Sequence, residues 1–128
     1  MNHNKHKSDE SVQDYLETIY VLTKSLTHVR SVDIANELSY SKPSVSVAMK
    51  NLRTNGYIEV SAEGYIALTE SGLQIAQAVY ERHSLMTKFL VHLGVDPAVA
   101  KEDACMMEHD ISSESFEALK KHINSLIK

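Results

Sequence analysis

The order of secondary-structure signals between residues 31 and 68 constrains the fold of this chain most strongly. A short helix with Ser31 as its N-cap is predicted first, and a second helix restarts at Ser41 or Lys42, where Pro43 is tolerated in the first turn. Two short β-prone runs then follow, separated by a link that fits a hairpin loop; they cover residues 57–60 and 65–68. Helix, turn, helix and hairpin in this order predict a winged helix-turn-helix.

Four further helices are predicted around this segment, so the fold class is mostly α with a small β-hairpin. The first should run from about Asp9 to Leu26, after a flexible polar tail over residues 1–8. Its core stripe would be Val12, Tyr15, Leu16, Ile19, Leu22 and Leu26. The next two should span about 70–93 and 97–111, with Thr69 and Asp96 as N-caps and Gly94 as a stop. The last should carry an apolar face of Phe116, Leu119, Ile123, Leu126 and Ile127. The last two are too short for a core of their own, so their apolar faces predict a dimer interface.

Composition narrows the class of protein. At 128 residues and 43% hydrophobic, the chain fits one compact domain or two small units. No apolar run approaches the ~20 residues that span a bilayer, and there is no secretory h-region, so a cytoplasmic location is expected. The net charge of −4 disfavours indiscriminate nucleic-acid binding. The charge is uneven, because residues 1–69 hold eight acids against seven Lys and Arg, whereas residues 70–128 hold nine against six.

A candidate metal site is predicted around Cys105, Glu108 and His109, which share one face of a helix at i, i+3 and i+4. Thiolate, carboxylate and imidazole together are the mixture that a borderline divalent metal prefers. Further ligands should come from elsewhere, and the candidates are His83, Asp14 and Glu17. Each has an ordinary alternative: a lone cysteine is usually a small buried hydrophobe, His83 is more often a core residue, and Asp14 with Glu17 forms a solvated acidic face.

Electrostatics make a switch plausible. Asp14, Glu17, Glu108 and a Cys105 thiolate would place about four negative charges together, which repel until a divalent ion cancels two of them. Such an ion would draw the first helix towards the fourth and fifth and fix the DNA-reading helices of a dimer at a half-site spacing of ~34 Å. The pattern therefore predicts a metal site that couples an N-terminal DNA-binding half to a C-terminal dimerising half.

The chain resembles metal-dependent repressors of the diphtheria-toxin-repressor type, especially the short manganese-repressor branch. The motifs that carry the resemblance are D-Y-L-E-T-I-Y at 14–20, S-V-D-I-A-N-E-L at 31–38, S-K-P-S-V-S at 41–46, Y-E-R-H at 80–83 and C-M-M-E-H at 105–109. It implies a winged-helix DNA-binding domain over residues 1–72 and a helical metal-binding and dimerisation domain over residues 73–128. Family members bind palindromic operators as metal-loaded homodimers. Longer relatives add an SH3-like domain, for which this chain is expected to be too short.

The resemblance also implies the ligands of the metal and their number. They would be Asp14, Glu17, His83, Cys105, Glu108 and His109, holding one or two ions per subunit. Asp14 and Glu17 look like the manganese branch, whereas Cys105 looks like the iron-responsive branch. The metal is therefore expected to be Fe(II) or Mn(II), with a slight preference for Fe(II). Thr87 and Lys101 stand where the iron-responsive branch has ligands of a second, ancillary site, so that site is expected to be absent.

For DNA, the resemblance points to the start of the second helix of the helix-turn-helix. The implied contacts are Ser41, Lys42, Pro43, Ser44, Ser46, Val47, Lys50 and Arg53. Val47 replaces a polar residue of the iron-responsive branch and can touch a thymine methyl but cannot hydrogen-bond a base edge. Lys50 and Arg53 would contact phosphate, although a solvated helix face is an equally good interpretation.

Three functions compete for this pattern. The leading one is a metal-activated transcriptional repressor of metal-ion uptake genes, which is not an enzyme. The second is a thiol redox sensor in which Cys105 reacts, but the neighbouring carboxylates disfavour its thiolate unless a metal is bound. The third is a small di-metal enzyme, which the sequence disfavours because it holds no Glu-x-x-His pair.

Overall fold

A computed structural model describes residues 3–126, and the side chains of residues 11–126. In that range it holds six helices and one antiparallel strand pair, confirming the mostly α fold class. The elements are α1 (His3–Thr23), α2 (Ser31–Leu38), α3 (Lys42–Thr54), β1 (Ile58–Val60), β2 (Ile66–Leu68), α4 (Glu70–His92), α5 (Pro97–Asp110) and α6 (Ser113–Leu126). The fold divides into two compact units after Gln77, within α4.

The two ends of α1 differ from the prediction. The helix begins at His3 rather than Asp9, so the prediction of a flexible tail is wrong for residues 3–8; residues 1 and 2 lie outside the described part, as do the side chains of His3 and His6. No glycine or proline interrupts this segment, so helix can propagate through it. α1 ends at Thr23 rather than Leu26, because the N–H groups of Lys24 and Ser25 donate to carbonyls three residues back, both at 3.1 Å, which tightens the chain into turns.

The helix-turn-helix is built from α2 and α3. For α3 the prediction is confirmed: Ser41 is the N-cap, and its Oγ accepts a hydrogen bond from the Ser44 backbone N–H at 3.3 Å. For α2 the predicted cap was wrong, since Arg30 rather than Ser31 occupies the N-cap position. The reason is Asp33, whose carboxylate accepts the Arg30 backbone N–H at 2.9 Å and so satisfies a donor at the helix start.

The wing is the hairpin of β1 and β2, paired in the register Ile58 with Leu68 and Val60 with Ile66. Each strand is one residue shorter at its start than predicted. Gly64, at a φ of +85°, closes the loop, and its N–H donates to the Ser61 carbonyl at 2.9 Å. The loop before α2 adds a further bridge, because the Ile66 N–H donates to the Val29 carbonyl at 2.7 Å.

The core of the first unit joins these elements to α1. Its fully buried side chains include Leu16 and Ile19 of α1, two of the six residues of the predicted stripe. Val12, Tyr15 and Leu22 pack against this core, but Leu26 lies beyond the end of α1 and is 37% exposed, so its place in the stripe was predicted wrongly. The remaining core residues are Val29, Ile34, Ala35, Val45, Met49, Leu52, Ile58, Ile66 and Ala76.

The wing meets the start of α4 at Gly72. Thr69 caps this helix, as predicted: its Oγ1 accepts the Gly72 N–H at 3.2 Å and donates to the Gly56 carbonyl at 2.7 Å. A Cβ on Gly72 would lie 2.1 Å from the carbonyl oxygen of Tyr57, which is backbone and cannot rotate away. Only glycine therefore allows α4 to pack this closely against the residue that precedes β1.

Replacing Gly72 with alanine should destabilise the first unit. The added methyl must push the backbone at Tyr57 away, and overpacking of this kind costs about 1–3 kcal/mol. The midpoint of urea unfolding, followed by circular dichroism, should fall accordingly. Gln77→Ala is the matched control, because Gln77 is exposed on the same helix and its midpoint should stay within error of the original chain. An unchanged midpoint for Gly72→Ala would contradict the close approach.

The second unit packs the rest of α4 with α5 and α6. Asp96 caps α5 as predicted, accepting the Ala98 N–H at 3.1 Å, and Gly94 at a φ of +100° follows the end of α4. The buried apolar side chains of this unit are Val79, Met86, Ala100, Ala104, Phe116 and Ile123. Of the predicted apolar face of α6, Leu126 is 50% exposed and Ile127 lies outside the described residues. None of the described helices is long and apolar enough to cross a bilayer.

Candidate metal centre and DNA-binding surface

α5 brings three predicted ligands of the second unit together. Glu108 continues the buried face that Ala100 and Ala104 begin at steps of four, and it is only 3% exposed. His109 is also well covered, and its Nε2 lies 3.7 Å from Glu108 Oε1. Cys105, a free and half-buried thiol, precedes them by one turn. A carboxylate is rarely buried without a cation or a metal, so the burial of Glu108 indicates that this face of α5 is a candidate cation site.

α4 contributes the fourth predicted ligand of this unit, His83. Its Nε2 lies 3.0 Å from the Lys101 carbonyl oxygen, which can only accept, so Nε2 is the donor of this hydrogen bond. Ligating histidines are typically oriented this way, with one ring nitrogen donating to a carbonyl and the other facing the metal. His83 and Glu108 each present one ligand atom within 4.8 Å of the other, as do Cys105 and His109.

The predicted ligands of the first unit lie on α1. Asp14 and Glu17 stand one turn apart on this helix, and both are half-buried. This places them on one side of the helix whose opposite side carries the core residues Leu16 and Ile19. That they share an ion with the ligands of the second unit stays a prediction.

The predicted DNA-contacting residues form one exposed surface on α3. All eight are exposed, and Val47 is 61% exposed. The other face of α3 is held in the core by Val45, Met49 and Leu52. At the N-terminus, the Ser41 hydroxyl donates to Ser44 Oγ at 2.8 Å. The helix therefore presents short polar side chains first and the cations Lys50 and Arg53 further along.

Two aromatic clusters of the first unit were not predicted, because they join residues far apart in sequence. The rings of His28 and Tyr65 stack at 4.0 Å and 4°, and the Arg30 guanidinium carbon lies 4.8 Å from the centre of the Tyr65 ring. The other pairs Tyr15 with Tyr40, edge to face at 6.0 Å. Burial, and then the neighbouring Tyr40, raise the pKa of Tyr15. No periodic sequence pattern could have revealed either cluster.

Two family models match nearly the whole chain. The DNA-binding domain of iron-dependent repressors matches residues 8–66, and the metal-binding and dimerisation domain of the same repressors matches residues 69–127. Among curated proteins, the transcriptional regulator MntR of Escherichia coli is 39% identical over 111 residues, covering 87% of this chain and 72% of the relative. An uncharacterised HTH-type regulator of Methanocaldococcus jannaschii is 34% identical over 113 residues, covering 87% of this chain and 90% of the relative.

Solved structures show the same fold. The manganese regulator SloR superposes with a TM-score of 0.77 at 31% identity, covering 88% of this chain and 53% of that one. A manganese-dependent repressor in complex with manganese gives a TM-score of 0.80 at 27% identity, covering 88% of this chain and 52% of that one. The chain thus spans about half the length of these structures. It belongs to the iron-dependent repressor family, the metal-dependent transcriptional regulators of the diphtheria-toxin-repressor type, and is manganese-repressor-like within it.

Proposed function

We propose that this protein is a metal-activated repressor that controls genes for iron or manganese uptake, binding palindromic operators as a homodimer. The observation that carries the proposal is the buried Glu108 carboxylate beside His83, in a chain whose other unit presents an exposed recognition helix. A buried carboxylate with an oriented histidine is a suitable place for a divalent ion. We assign the protein no catalytic role, and a repressor of chromosomal genes would work in the cytoplasm.

The complete ligand set would be the six residues named from the sequence. In the second unit, His83 and Glu108 form one pair of ligands, and Cys105 and His109 form the other. Asp14 and Glu17 would complete them from the DNA-binding domain, residues 1–72, while residues 73–128 supply the rest. An ion bound by both domains favours one arrangement of the two over all others, which gives the metal its differential affinity for the DNA-competent state.

The ion would be Fe(II) or Mn(II), one or two per subunit. Carboxylates and imidazoles accept both metals, whereas a Cys105 thiolate is a soft ligand that favours iron over manganese. Because thiolate and neutral imidazole are required, metal binding releases protons and should weaken as the pH falls. The solved relatives that are named for manganese support Mn(II) as the alternative to Fe(II).

Dimerisation would use the apolar surface that α5 and α6 leave exposed. Met106 and Met107 of α5 are 58% and 42% exposed, and Leu126 of α6 is 50% exposed. Such side chains are expensive to leave in water and are common at interfaces between subunits. Pairing of two copies would set two α3 helices one turn of DNA apart, ~34 Å, as a palindrome requires.

The function is tested by selecting binding sites from random double-stranded DNA. With Fe(II) or Mn(II) present, the protein should enrich an inverted repeat, whose half-sites are about one helical turn apart. The same selection in chelator should enrich nothing. Enrichment of the same repeat at equal strength in chelator would overturn activation by metal, and failure to enrich any sequence with metal would overturn the repressor function.

A further inference from the structure

We propose that Arg30 binds the phosphate backbone of the operator, outside the groove that α3 reads, and that Tyr65 of the wing positions it. The proposal rests on the proposed function and adds a contact that the recognition helix does not supply. The residues involved are named here the wing cluster: His28, Arg30, Glu63 and Tyr65.

The wing cluster holds an exposed cation in a defined place. Arg30 is exposed, yet its guanidinium carbon sits 4.8 Å from the centre of the half-buried Tyr65 ring. Tyr65 is itself fixed, since its N–H donates to Ser61 Oγ at 3.1 Å and its ring stacks on His28 at 4.0 Å. A guanidinium held over an aromatic ring loses less side-chain entropy on binding than a free one, and its fork of N–H donors remains available to a phosphate.

The position of Arg30 in the fold points to phosphate rather than to bases. It is the N-cap of α2, the first helix of the helix-turn-helix. When such motifs dock, the second helix enters the major groove and the first crosses the sugar-phosphate backbone. An arginine at the start of the first helix therefore lies where backbone contacts are made, and such contacts fix register without reading sequence.

The cluster also carries a charge that opposes this contact. The Glu63 carboxylate is held by its own backbone N–H and by the Ser61 hydroxyl, and with the nearby charges of His28 and Arg30 these lower the pKa of Glu63. Glu63 therefore stays ionised beside Arg30 and competes with a phosphate for it. Two further carboxylates lie in this region: Asp33, whose carboxylate accepts the Arg30 backbone N–H at 2.9 Å, and Glu59, which lines the same groove of the wing as His28.

The salt dependence of operator binding tests the contact. Each phosphate contact adds about 0.9 to the slope of log affinity against log salt, and a dimer has two copies of Arg30, so Arg30→Gln should flatten the slope by about 1.8. The ratio of the operator affinity of the original protein to that of Arg30→Gln should then fall about tenfold between 50 and 200 mM salt. Arg30→Lys, which keeps the charge, should restore most of the slope.

Arg82→Gln is the matched control, measured at saturating metal. Arg82 is also an arginine over an aromatic ring, 5.0 Å from the centre of Phe116, but it lies in the second unit, so Arg82→Gln should leave the slope unchanged.

Glu63→Gln should change operator affinity in the opposite direction to Arg30→Gln. Removing the negative charge of Glu63 should tighten operator binding at 50 mM salt. An unchanged slope for folded Arg30→Gln would overturn the proposal, and so would unchanged or weaker binding by Glu63→Gln. If the original protein bound no operator with metal, the proposed function itself would fail instead.

Discussion

Replacing Glu108 with glutamine should shift metal-dependent operator binding to about 100-fold higher metal concentrations. Glutamine has the same shape but removes a negative charge and one strong ligand oxygen from the buried face of α5, where Glu108 is 3% exposed. Mutation of the outer-shell partners of metal ligands typically costs 10–100-fold in metal affinity. Loss of a direct ligand should therefore weaken metal binding by about 100-fold or more. That corresponds to about 2.8 kcal/mol of binding free energy.

Thermal unfolding separates loss of metal from loss of fold. Metal at about 100 times its Kd should stabilise the original protein by about 2.7 kcal/mol, whereas the same concentration should stabilise Glu108→Gln by only about 0.4 kcal/mol. Glu102→Gln is the control, because Glu102 lies on the same helix but is exposed, and it should retain the full metal-induced shift. If Glu108→Gln kept both the shift and metal-dependent DNA binding, Glu108 would not be a ligand.

Replacing Cys105 with glutamate should move the metal preference towards manganese. The change exchanges a soft thiolate for a hard carboxylate one turn of α5 before Glu108 and His109. The Mn(II) concentration that gives half-maximal operator binding should fall relative to that of Co(II), an air-stable substitute for Fe(II), by about tenfold or more. Fluorescence anisotropy of labelled operator during each metal titration measures both values.

Cys105→Ser distinguishes this change from simple damage to the site. Serine removes the thiolate without adding a carboxylate, so it should weaken activation by both metals and remove any thiolate-to-cobalt charge-transfer absorption. If Cys105→Glu left the ratio of the two metals unchanged, the thiol would lie outside the coordination sphere. A response of the metal-free original protein to oxidant, lost in Cys105→Ser, would favour the redox sensor instead.

Much of the fold could be predicted because local sequence determines it. Pro43, Ser41 and the apolar spacing of Val45, Met49 and Leu52 locate α3 correctly, and Asp96 followed by Pro97 locates the start of α5. The errors lie at helix ends, where alternative local hydrogen bonds compete. Asp33 places the cap of α2 at Arg30, and the bonds of the Lys24 and Ser25 N–H groups to carbonyls three residues back end α1 early.

The candidate site divides in the same way. The spacing of Cys105, Glu108 and His109 could be predicted, because a helix fixes which of its residues share a face. That Nε2 of His83 meets the Lys101 carbonyl could not, since this contact joins two helices. The stacking of Tyr65 on His28 and the close approach of Gly72 to Tyr57 could not be predicted for the same reason, because each joins segments that are distant in sequence.

Anomalous scattering from crystals grown with Mn(II) tests most directly whether the two domains share an ion. We expect an anomalous peak directly coordinated by carboxylate oxygens of Asp14 or Glu17 on one side and by ligand atoms of His83, Cys105, Glu108 or His109 on the other. An ion bound by the second unit alone, with Asp14 and Glu17 outside its coordination sphere, would contradict the account.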